Sequence, residues 1–248
     1  KADMATVAEV PFANAIIAGK QPRILAGINS SDKDIVLVSR GESQIHAASD
    51  LVGKTVGIIP GTSSEAFLGL LLTGNRINAK QVNIVPVKSD EVVDLLATGK
   101  LDAFTGWLSL RLKAENALKQ NARILSEPSV YTESWLLTAP DTYVRSHAPT
   151  IQKLLRALVR AEKFSRLQSP AAQAIVLRYV SIDPQALRKH WPDFSFTVDL
   201  NQTIVINLEY MARMALVEKP GTPLPNFLPT IALNDMFQVD PTRVTIPH

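Results

Sequence analysis

The chain has 248 residues, 46% apolar and 20% charged, enough for one large domain or two modest ones with real cores. Its 26 Lys and Arg against 23 Asp and Glu leave a formal charge of +3, too mild and too evenly spread to point to nucleic acid. No apolar run reaches the ~18 residues of a membrane-spanning helix, and the lack of cysteine excludes disulfides, thiolate zinc sites and cysteine nucleophiles.

The opening Lys1-Ala2-Asp3-Met4-Ala5 reads as if already inside a domain, so residues are expected before Lys1. Ala2 to Val10 reads as a strand, followed by a Pro11-led helix that stops at Gly19. Arg23 to Ile28 is a second strand, and Asn29 to Asp34 is a polar break. Ile35 to Val38 is a third, fully apolar strand.

Asp50 to Leu72 carries the most functional information. Asp50-Leu51-Val52-Gly53-Lys54 is a turn, and Thr55 to Ile59 suits a buried strand. Pro60-Gly61-Thr62-Ser63-Ser64-Glu65 is a loop that opens a helix, with a hydroxyl residue at the N-cap and an acid in the first turn. Such a loop gathers backbone N–H groups, hydroxyls and the positive end of a helix dipole, which together hold an anion. Ser and Thr also cap helices with no ligand present, and alone that plainer role is the commoner one.

Further strands follow at Val82 to Val87, Leu101 to Trp107, about Arg123 to Leu125, and Ser134 to Ala139. Helices start at Ser89-Asp90-Glu91 and near Leu110. The remainder turns helical: Pro149 to Leu167, Ser169 to about Tyr179, Asp183 to His190, and Leu200 to Leu216 with Ile204, Ile206, Leu208, Met211 and Met214 as its apolar positions. Pro220 to Pro229 is a Pro-rich connection, with a helical tail near 232–237 and a weak strand near 244–246. Strand–helix alternation predicts a mainly parallel α/β architecture. Residues 35–140 form one lobe and residues 1–34 with 141–248 the other, with crossings near 29–34 and 138–141 acting as a hinge around a ligand cleft.

Three groups of residues carry a resemblance. Asp50-Leu51-x-Gly53-Lys54-x-Val56-Gly57, then Pro60-Gly61-Thr62-Ser63, then Leu95-x-x-x-Gly99-x-Leu101-Asp102-Ala103 with Trp107 beyond, are similar to the periplasmic solute-binding proteins of ABC importers. The nearest branch is the sulfonate, taurine, nitrate and pyrimidine-precursor group (SsuA/TauA/NMT1-like). The resemblance covers the whole chain and implies a type II periplasmic binding protein fold of two α/β lobes. It also implies a small anionic or zwitterionic organic ligand, a membrane ABC permease as partner, a monomer, no cofactor, and a periplasmic or extracellular location that includes lipid-anchored forms. One departure stands out: the resemblance implies a first βαβα segment before the point where this chain begins, so the first lobe is expected to be N-terminally incomplete in the residues from Lys1 onward.

Within that frame Thr62, Ser63 and Ser64, with the Gly61 backbone beside them, match the loop that holds the ligand's anionic group. Trp107 ends a strand where α/β folds place ligands, with Thr105 on the same rim; its stacking on a ligand and its packing in the core are equally expected. Glu9 matches the rim of the first lobe and suits a ligand amine, against the alternative of a solvated acid near a helix start. Asn29 and Ser30 fall at the first crossing, as ligand contacts or hinge turns. Asp102 reads as a turn or cap residue, and Arg111 and Glu115 as helix-face residues. His46, His147, His190 and His248 show no metal spacing.

No nucleophile elbow and no paired carboxylate motif is present, so the reading is a binding protein and not an enzyme. Two alternatives remain open. One is a pyrimidine-precursor binding protein or enzyme on the same fold, although the family's enzymes look to rely on a cysteine cluster that is missing here. The other is the ligand-sensing domain of a signalling protein.

Overall fold

The computed structural model describes residues 2–217 and 221–247. Lys1, His248 and the Pro220 that opens the Pro-rich connection lie outside the described residues. The strands are β1 (Ala5–Ala8), β2 (Pro22–Ser31), β3 (Val36–Arg40), β4 (Thr55–Ile58), β5 (Asn83–Pro86), β6 (Ala103–Gly106), β7 (Ala122–Leu125) and β8 (Glu133–Pro140). The α-helices are α1 (Glu9–Ile17), α2 (Ser63–Gly74), α3 (Val92–Ala97), α4 (Leu108–Leu118), α5 (Asp141–Ser146), α6 (Ala148–Leu167), α7 (Ser169–Val176), α8 (Pro184–His190), α9 (Gln202–Leu216) and α10 (Leu233–Val239). The chain divides into two compact units, one of residues 1–31 and 134–248 and one of residues 32–133.

The second unit holds a five-stranded sheet in the order β5-β4-β6-β3-β7. β4 pairs in parallel with β5 and β6, whereas β3 runs antiparallel to both β6 and β7. Four of its five strands, β5, β4, β6 and β7, thus run the same way and β3 runs against them, so the sheet is mainly parallel as expected, with one reversed strand. Helices α2 and α3 carry the chain over the sheet between β4, β5 and β6, and such crossovers impose parallel pairing. β3 is followed only by short 3₁₀ turns, so no crossover fixes its direction. Val36 and Val38 of β3 join Leu96, Leu101, Phe104, Leu110 and Ala114 in one buried cluster. Gly57 of β4 faces it, and a Cβ there would come within 2.8 Å of Leu101 Cδ1.

The first unit holds the three-stranded sheet β1-β8-β2. β1 runs antiparallel to β8, with Ala5 opposite Thr138 and Ala8 opposite Trp135. β2 carries the fully buried run Ile24, Leu25 and Ala26. It is longer than the sequence signals: Asn29, Ser30 and Ser31, expected as a polar break, belong to it. A distant segment holds its end, since Ser30 and Ser195 exchange N–H···O bonds of 3.0 and 2.8 Å, and Ser31 Oγ donates to the Asp193 carbonyl at 2.6 Å.

Helix α1 begins two residues before the expected Pro11, at Glu9, and packs against α9. The buried face of α9 is Ile204, Leu208, Met211 and Ala212; Ile206, counted on that face from the sequence, is exposed. The strand expected near 244–246 is only a single bridge between Leu200 and Val244. Among the described residues no helix is long and apolar enough to cross a membrane.

Candidate ligand-binding site at the start of α2

β4 ends at Ile58, and the chain turns through Pro60 and Gly61 into α2. Gly61 has φ +72°, a left-handed conformation that L side chains adopt only with strain. Thr62 is the N-cap: its Oγ1 accepts from Ser64 N–H at 3.2 Å and donates to the Ile59 carbonyl at 2.7 Å. The Glu65 carboxylate folds back to accept Gly61 N–H at 2.7 Å, a first-turn acid compensating the positive helix end.

The three hydroxyl residues differ in what they do. Ser64 is fully buried and its Oγ accepts from Ile59 N–H at 3.0 Å while donating to the Thr105 carbonyl at 2.6 Å. Thr105, also fully buried, returns a bond from its Oγ1 to the Ser64 carbonyl at 2.8 Å. Together they tie α2 to β6. Ser63 is buried and donates to the carboxylate of Glu133, itself only 3% exposed. Thr62 and Gly61 are half-buried. The hydroxyls are thus committed within the protein, and anion-binding capacity at this loop falls to the backbone. The first helical amides, at Ser63 and Glu65, have no carbonyl one turn earlier to bond.

Trp107 is the residue before α4, half-buried and packed against the cluster of Val36, Val38, Leu96 and Phe104. It does not cap α4; the buried Asp34 does, accepting Leu108 N–H at 3.0 Å. Asp102 is a tie point as well as a turn residue: its carboxylate accepts from Thr55 N–H at 2.9 Å and from Ser43 Oγ at 3.0 Å. Arg111 and Glu115 pair along the face of α4 at 3.0 Å.

In the first unit Glu9 opens α1 but is not solvated. It is 1% exposed and accepts Ser134 N–H at 2.8 Å, because the β1–β8 pairing brings that amide over the helix start. Ser30 is engaged through its backbone. Asn29 is half-buried, and its Oδ1, although buried, has no hydrogen-bond partner among the described residues; such an acceptor calls for a donor. The second unit therefore brings Gly61, Thr62, Ser63, Ser64, Thr105 and Trp107 onto one strand–helix junction and its neighbouring strand. Glu9, Asn29 and Ser30 belong to the first unit. Sequence reasoning missed Glu133, since nothing local links it to a serine seventy residues earlier. It noted Glu65 only as a first-turn acid. Among the described residues no three His, Asp or Glu side chains are grouped to hold a metal.

This architecture is that of the periplasmic binding proteins. The aliphatic sulphonate binding protein SsuA from Escherichia coli superposes with a TM-score of 0.79 at 18% identity, covering 95% of this chain and 81% of that one. The alkanesulfonate-binding protein SsuA from Xanthomonas axonopodis pv. citri, bound to MOPS, gives 0.75 at 14% identity over 92% and 80%. The desulfurization enzyme DSZB gives 0.66 at 18% identity over 95% and 85%. At these identities the likeness establishes the fold. The NMT1/THI5-like family model matches residues 1–171, and the chain belongs to that family. No curated protein matches its sequence.

Proposed function

We propose that the chain is the solute-binding component of an ABC importer, taking a small organic solute with a sulfonate-like anionic group and working as a monomer with a membrane permease, outside the cytoplasm. The observation that carries this reading is the strand–loop–helix junction at 55–74, where the amides of Ser63 and Glu65 have no intrahelical acceptor and the positive end of the helix favours an anion. Membership of the NMT1/THI5-like family and likeness to two sulfonate-binding proteins support it. Glu65 and Glu133 already occupy donors beside the loop, which favours a zwitterion of the taurine type over a bare inorganic anion.

Thermal shift against alkanesulfonates, taurine, nitrate, carboxylates and pyrimidine precursors tests the proposal, since a ligand of the folded state raises its stability by mass action. A shift with sulfonates or taurine, weakened in Thr62→Ala, is expected. No shift with any member of the panel overturns it, and a shift with pyrimidine precursors alone moves the assignment to that ligand class.

A second reading, an enzyme on the same fold, rests on the likeness to DSZB. The chain has no cysteine, so nucleophilic chemistry here would need another residue. Product release from a bound sulfonate or sulfinate on prolonged incubation would favour it.

A further inference from the structure

A depression of about 490 Å³ opens on the first unit between α6 and the end of α10, lined by Lys153, Arg156, Val159, Arg160, Val239 and Asp240. Lys153, Arg156 and Arg160 stand at i, i+3 and i+7, one stripe of α6 about 10 Å long. All three are exposed, and among the described residues none makes an ion pair. The one acid of the lining is committed elsewhere. Asp240 accepts from Thr242 N–H at 3.1 Å, Thr242 Oγ1 at 2.6 Å and Arg243 Nε at 3.2 Å. Glu162, one turn further along α6, is taken by Arg243 and by Val198 N–H. The depression therefore presents three uncompensated cations around Val159 and Val239.

We propose that this groove docks an acidic peptide segment of a partner protein, with carboxylates on the stripe and an apolar side chain against Val159 and Val239. The occupant follows from charge and shape. A flat lipid surface does not reach the floor of a concave site. A single inorganic anion finds no cradle there, because the cations stand in the middle of α6, where backbone N–H groups are spent on the helix. Alternate residues of an extended peptide stand about 6.7 Å apart, so two or three carboxylates match the length of the stripe. The surface is separate from the α2 junction and does not depend on the ligand assigned there.

Fluorescence anisotropy of a labelled peptide of interleaved Glu and Val, titrated with the whole protein at low salt, reads this directly. Binding that weakens about tenfold in Lys153→Glu/Arg156→Glu/Arg160→Glu and falls with added salt is the expected result. The substituted side chains are exposed, so circular dichroism of the variant confirms that it folds. A second variant, Val159→Asp, weakens binding with the three cations intact. No binding, or binding unchanged in the triple variant, overturns the proposal. So does equal competition by inorganic phosphate, which would assign the groove to a small anion, or preference for phosphatidylglycerol vesicles over the peptide, which would assign it to a membrane.

Discussion

Ser64 and Thr105 are bonded to each other through side chain and backbone: Ser64 Oγ donates to the Thr105 carbonyl at 2.6 Å, Thr105 Oγ1 donates to the Ser64 carbonyl at 2.8 Å, and the two hydroxyl oxygens lie 3.0 Å apart. Both are fully buried, so each broken bond strands a polar group away from water. Ser64→Ala should cost about 1–3 kcal/mol in urea unfolding, because Ile59 N–H loses its acceptor as well. Thr105→Val keeps the shape and should cost less. The double variant should be less destabilised than the sum of the two, as coupled partners are; strict additivity would show that the two hydroxyls do not act together.

The turn that aims α2 depends on backbone geometry as well as capping. Gly61→Ala, at φ +72°, should lose roughly 1–2 kcal/mol. Thr62→Ala should lose about 1 kcal/mol with its cap, and Thr62→Ser should recover most of it. If Thr62→Ala lowers ligand affinity while Thr62→Ser restores it, the loop geometry carries binding; if both weaken affinity alike, the threonine methyl is the contact.

Burial pushes the Asp199 carboxyl above its ordinary value, with the Asn201 amide bond and Arg243 opposing. A raised acid contributes most when protonated, and its contribution is lost as pH rises through the folded-state value. Asp199→Asn should match the parent in acid and be more stable at neutral pH, read as melting temperature against pH. Equal stability at both would show that Asp199 is not penalised by burial.

Asp141 has the opposite sign. Bonds from Arg145 at 2.6 Å and Arg23 at 2.7 Å hold its carboxyl below the ordinary value. Its contribution is present above the unfolded value and lost as pH falls through the folded one. Asp141→Asn should flatten the acid limb of the stability profile and leave neutral-pH stability lower; an unchanged acid limb would assign that limb to other carboxylates.

Much of the second unit was legible in the sequence because its signals are local. The apolar run at β4, the Thr62 cap and the Glu65 first-turn acid all act within a few residues, and α2 begins where they predict. The α9 stripe was legible too, except that helix rotation exposes Ile206 while burying Ala212. Asn29 to Ser31 misread as a break because the polarity of Ser30 and Ser31 is answered by Ser195 and Asp193, far along the chain.

The sequence by itself determined composition class, most element positions and the hydroxyl-rich helix start, since propensity, capping and periodicity are short-range. Only the tertiary structure decided what each hydroxyl is bonded to and which strands run antiparallel. Ser63 and Ser64 read alike in the sequence, yet one is spent on Glu133 and the other on Thr105. Partner choice of that kind is set by packing between segments distant in the chain, where burial makes every unpaired polar group costly.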